Sequence, residues 1–138
     1  MRAIDFLMRA TLAEKKLTSA LEKVVRYRAS VQRMTASLDG NQVSHSRNVT
    51  AQEDAMIRYI EVSDEAARLS KEKNDILDEI YAVLDQLENE SSRTILKRFY
   101  IDHASVATID KEMYLNRQYL YEKKAIALEE LDELLSKS

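Results

Sequence analysis

Residues 50–87 read TAQEDAMIRYIEVSDEAARLSKEKNDILDEIYAVLDQL. Stepping through them by alternate fours and threes picks out Ala55, Tyr59, Val62, Ala66, Leu69, Lys73, Ile76, Ile80, Val83 and Leu87. All but Lys73 can pack, and this alternation marks the seam of one helix lying against another. The segment would be roughly 55 Å long at 1.5 Å per residue. Thr50 and Glu53 match a capping box, in which each side chain satisfies the other residue's amide, so the expected start is Thr50.

Working outward, the same spacing recurs upstream at Leu17, Leu21, Val24, Arg28, Val31, Thr35 and Leu38, with Arg28 and Thr35 as polar interruptions. A broader apolar patch precedes it at Ile4, Phe6, Leu7, Met8 and Leu12. Asp39–Gly40 ends this first helix. Residues 41–49 read as a loop. The expected fold is therefore all-α, beginning with a long antiparallel helical hairpin, coiled-coil-like, over residues 1–87.

Composition agrees. The chain has no Pro, Cys or Trp and a single Gly, which suits long helices and starves a β protein of turns. Without Cys there is neither a disulfide nor a thiolate metal site. No apolar run reaches the ~20 residues of a membrane span, and the N-terminus lacks a signal-peptide core. The expected location is the cytoplasm. The net charge of −3 hides an asymmetry: residues 1–40 carry eight Lys/Arg against four Asp/Glu, and residues 41–87 carry five against ten. The expected consequence is a basic helix lying against an acidic one. A two-helix hairpin has little core of its own. The leftover apolar positions (Ile4–Leu12; Met56, Ile57, Ile60; Leu77, Tyr81, Leu84) suggest self-association, most simply as a homodimer. The alternative is that C-terminal residues fold back and cover them.

The pattern changes after residue 87. Ile95, Leu96, Phe99 and Tyr100 are apolar at helical spacing in a segment opened by Ser91–Ser92. A short helix fits Ser105–Glu112, facing Val106, Ile109 and Met113 inward, and Tyr114–Leu115 form a turn. Asn116 then caps a last helix using Leu120, Ala127, Leu128, Leu131 and Leu134. Two helices joined by such a turn and braced by a third form a DNA-reading unit.

Residues 88–131 resemble region 4 of the bacterial sigma-70 factors. Leu96, Tyr100–Ile101, Ser105, Ile109, Leu115–Asn116, Leu120, Ala127–Leu128 and Leu131 carry the likeness without a gap. Three positions depart from it: Asp110 stands where the family has a small Ala, Tyr114 where it has Gly, and Phe99 where it has Arg. A long helical N-terminus fused to such a module resembles phage-encoded transcription regulators of the RinA/ArpU sort. The resemblance implies a sigma-region-4-like helix-turn-helix module over residues 88–138. It implies a transcription regulator that binds double-stranded DNA, with RNA polymerase as a further partner.

The last helix would present Asn116, Arg117, Gln118, Tyr119, Tyr121, Lys123 and Lys124 to DNA. Arg and Gln match the paired acceptors and donors of guanine and adenine. Lys123, Lys124 and Lys111 would serve phosphates, with Arg93, Lys97 and Arg98 reaching backbone from the bracing helix. The acids of 129–133 should point away. Asp75, Asp78 and Glu79 read as a solvated acidic face. His45 and His103 sit in expected loops with no Glu-x-x-His spacing, so no metal, cofactor or enzymatic activity is expected. Two other readings stay open: a phage assembly component, such as a small terminase-like subunit, and a protein-interaction module that has lost DNA reading.

Overall fold

The computed structural model describes residues 1–40 and 45–137, with side chains from 1–36 and 49–137. Its five helices are α1 (Ala3–Gly40), α2 (His45–Leu84), α3 (Glu90–Tyr100), α4 (Val106–Met113) and α5 (Arg117–Ser136). The fold is all-α, with no strand among the described residues. Among the described residues no helix is long and apolar enough to cross a membrane.

α1 runs as far as Gly40, where the sequence ends it. α2 starts earlier than the Thr50 capping box predicts. Nothing between His45 and Val49 breaks a helix, so these residues join α2 and Thr50 and Glu53 lie inside it. The rest of the predicted loop, residues 41–44, lies outside the described residues.

The chain divides into two compact units: residues 1–13 with 74–138, and residues 14–73. In the first, Phe6, Leu7, Ile80, Leu84, Leu87, Leu96 and Leu131 close around Ala3, Ala10 and Ala127. Each large side chain buried here contributes about 1.5–3 kcal/mol. The patch at Phe6 and Leu7 is thus covered within the chain, as are Leu84 and, in part, Leu77. Ile4, Leu12, Met56, Ile57 and Ile60 remain exposed. The start of α1 is tied down by Asp132, whose carboxylate accepts from the Ala3 amide at 2.6 Å. Arg9 makes two hydrogen bonds of 3.0 Å to Glu79, one to each carboxylate oxygen.

In residues 14–73 the α2 seam packs where the spacing places it, with Ala55 and Ala66 buried and Tyr59, Val62, Leu69 and Lys73 half-buried. The α1 seam is different from the predicted one. Leu17, Val24 and Val31 do face inward, but Leu21, Arg28 and Thr35 are exposed. Their places are taken by Ala20, Tyr27 and Met34, each one residue earlier. The phase through 20, 27 and 34 replaces Arg28 and Thr35 by Tyr27 and Met34, and it buries the small Ala20. Partners fall in reverse order along the two segments. Gln52 donates to the Thr35 hydroxyl at 2.9 Å, and Lys23 acts electrostatically on Glu65.

Candidate nucleic-acid interface

The arrangement of α3, α4 and α5 starts from their caps. Asn89, rather than the predicted Ser91–Ser92, caps α3 by accepting from the Ser91 amide at 3.0 Å. Ser92 is instead buried. Ser105 caps α4 through the Thr108 amide at 3.2 Å, and Asn116 caps α5 through the Tyr119 amide at 2.8 Å. Such caps each contribute about 0.5–2 kcal/mol and set where a helix begins. Ile95, Ile109 and Leu120, one from each helix, are fully buried against one another. Phe99, Val106, Met113 and Leu115 pack around them.

α4 ends at Met113 and α5 begins at Arg117, leaving a three-residue connection, Tyr114–Asn116. Tyr114 occupies the left-handed region, φ 56° and ψ 39°, and is 95% exposed. A Cβ there costs about 1–2 kcal/mol that glycine avoids. Its amide and that of Leu115 both donate to the Asp110 carbonyl. The Asp110 side chain sits where the resembled family has a small residue, and its Oδ1 is buried without a hydrogen-bond partner. Such an atom costs about 1–3 kcal/mol.

The candidate residues then separate into two groups. Asn116, Arg117, Gln118, Tyr119 and Tyr121 are exposed on the first turns of α5, and Lys111 is exposed in the last turn of α4. No acid lies in the first turn of α5, so the positive end of the helix dipole and Arg117 act together on an approaching anion. The second group is engaged within the chain. Arg98 bonds Glu112 at 2.9 and 2.6 Å and Asp102 at 3.1 Å, joining α3 to α4. The bonds to Asp102 and Glu112 hold its guanidinium protonated more firmly than usual. Arg93 donates to the Leu87 carbonyl. Lys97 lies over the Tyr81 ring at 5.3 Å and 3.9 Å from Asp85.

Aromatic rings take up the remaining two lysines. Lys123 lies 5.2 Å from the Tyr119 ring centre. Lys124 lies 4.5 Å from Phe99, 5.4 Å from Tyr100 and 6.0 Å from Tyr121. Attraction to ring faces contributes about 0.5–1 kcal/mol at such sites. Phe99, in the place of an Arg, thus draws a cation onto its face. Burial pushes the Tyr100 phenol above its ordinary range. Tyr114 is the exposed group that the sequence reading left out of the surface. The signal for it was its place in a turn where the resembled family has Gly.

Among the described residues no group of three or more His, Asp or Glu side chains could hold a metal ion. A family model, DUF1492, described as a protein of unknown function, matches residues 40–132. No curated protein and no solved structure matches the chain.

Proposed function

The chain belongs to the DUF1492 family, and we propose that it is a DNA-binding transcription regulator of the phage type, reading double-stranded DNA with the first turns of α5. In this reading residues 88–138 form a helix-turn-helix module, the long helices serve as its scaffold, and the protein acts as a homodimer. The observation that carries it is the three-residue connection placing exposed Arg117, Gln118 and Tyr121 at the start of a helix anchored by Ile95, Ile109 and Leu120. A helix so mounted enters the major groove by its N-terminal residues.

The test is selection from a library of DNA fragments at two salt concentrations. Enrichment of one site, with affinity falling steeply as salt rises, supports the reading. Arg117→Ala should then cost about 1–3 kcal/mol and relax specificity at one base pair, whereas Lys111→Ala should weaken all sequences alike and reduce the salt slope by about one. Arg98→Ala should leave the slope unaltered, because Glu112 and Asp102 already neutralise that cation. No salt-sensitive enrichment by a folded, helical protein overturns the proposal.

A second reading, a protein-interaction module, draws support from one observation. Five of the candidate cations, Arg93, Lys97, Arg98, Lys123 and Lys124, already have partners within the chain. RNA polymerase is the first protein to assay for binding if DNA fails.

A further inference from the structure

Residues 14–73 form a pair of helices with two unlike faces. The observed seam consists of Leu17, Ala20, Val24, Tyr27, Val31 and Met34 on α1 and Ala55, Tyr59, Val62, Ala66 and Leu69 on α2. Successive helical residues are rotated by about 100°, so residues just before and just after seam positions lie on opposite sides. A cleft lined by Lys16, Ser19 and Lys23 from α1 and by Glu61, Glu65 and Arg68 from α2 shows that the residues before the seam share one side on both helices. The residues after the seam therefore share the other.

The chemistry of the two sides differs sharply. Of the eleven residues that precede seam positions, nine are charged. Of the eleven that follow them, only Arg28 is charged. The neutral side exposes Leu21 (48%), Val25 (68%), Met56 (41%) and Ile60 (52%) to solvent. Beneath it, the buried apolar residues among those described in this unit are Ala20, Val31, Ala55 and Ala66. Alanine contributes little apolar area, and helices paired on it alone lack the burial that offsets chain entropy.

We propose that the neutral face is where a second copy of this chain docks, closing a four-helix bundle in which each α1 segment lies beside the other copy's α2 segment. Three observations select a second copy over an unrelated partner. The first is charge. Residues 14–40 hold six Lys/Arg and three Asp/Glu, residues 45–73 hold five and six, and the arrangement sets the net-positive segment beside the near-neutral one and not beside its own copy. The second is shape. In the register shown by Lys23 with Glu65, Leu21 comes opposite the second copy's Ala67 and Val25 opposite its Ser63, so these two large side chains meet small ones. The third is self-consistency: both halves of the complementary surface lie on the same chain, as a two-fold interface requires. All neighbouring helices would run antiparallel.

The inference rests on the homodimer in the proposed function and not on DNA reading, so a dimer that ignores DNA overturns only the latter. The test is sedimentation equilibrium of the full chain. A dimer is expected, and Leu21→Glu with Val25→Glu should weaken it at least about tenfold by burying unpaired charge. Arg26→Gln, on the charged side, should leave it intact. The chain has no Cys, so position can be read directly by mixing a Val25→Cys chain with a differently tagged Ser63→Cys chain. A mixed disulfide is expected, since the bond forms only where Cα atoms come within about 7 Å. A monomeric wild type overturns the proposal and gives the face to another occupant. So does a dimer in which Val25→Cys and Ser63→Cys fail to cross-link. The cross-link also decides the matter should the double variant lose its helicity.

Discussion

In the unit formed by residues 1–13 and 74–138, Leu7, Ile80, Leu84, Ile95, Leu96, Ile109, Leu120 and Leu131 are all but inaccessible to water. Among the described residues of 14–73 the buried apolar side chains are three alanines and Val31. Both units are helical, and about a third of the residues in each are charged. The difference lies in how many helices converge. Where several meet, as around Leu96, a large side chain is enclosed from every direction. Where two meet, each helix shields the other along one line only, and small residues win because they shorten the distance. The first unit is therefore complete in itself, and the second presents a seam with one face left neutral.

Truncation measures this difference most directly. Leu96→Ala should cost about 2–5 kcal/mol, because its neighbours cannot all relax into the space. Val31→Ala should cost about 1–2 kcal/mol, because fewer atoms lose their packing. Chemical denaturation of both variants checks the order, and a larger loss at Val31 would break the comparison. Next in size is Asp110→Ala, expected to stabilise the first unit by about 1–2 kcal/mol by removing a buried, unpartnered oxygen. Tyr114→Gly should follow with about 1 kcal/mol of stabilisation, by relieving a left-handed residue that carries a Cβ. Thermal melts would register either as an upward shift, and a fall in either melt would show that the side chain is holding something in place.

The smallest effect is electrostatic. The hydrogen bond from Arg9 holds the Glu79 carboxyl below its usual range. A lowered carboxylate value means that the pair stabilises the fold above pH ~4.3, the ordinary glutamate value, and that this is lost as pH falls through the lower folded value. Glu79 is 53% exposed, so solvent screening keeps the effect well under about 1 kcal/mol. The stability gap between wild type and Glu79→Gln should close between pH 6 and pH 3. A gap that persists at pH 3 would mean that the pair acts through packing and not through charge.

Much of the helical plan was legible in the chain. Ser105 and Asn116 cap where their side chains predict, because a cap depends on amides two or three residues away. Ile109 and Leu120 were readable as core from their spacing within short amphipathic helices. The α2 seam was legible for the same reason. The α1 seam was not. Leu21 is more apolar than Ala20, and hydrophobicity alone chooses Leu21, whereas a pair of helices whose buried residues on α2 are the small Ala55 and Ala66 favours the smaller residue. The candidate surface divides in the same way. Exposure of Arg117 and Gln118 follows from their place just after the cap. The engagement of Arg98 by Glu112, fourteen residues away, and of Lys124 by Phe99 has no local signature.

By itself, then, the sequence determined that this protein is helical, where its short helices start and which of their residues point inward. Those properties arise from hydrogen bonds and periodicities that act within a turn or two of helix. Tertiary structure alone decided the phase of the α1 seam, the covering of Phe6 and Leu7 by Leu131, and which cations stay available to a ligand. Each depends on distances between residues far apart in the chain, and no local interaction energy encodes such a distance.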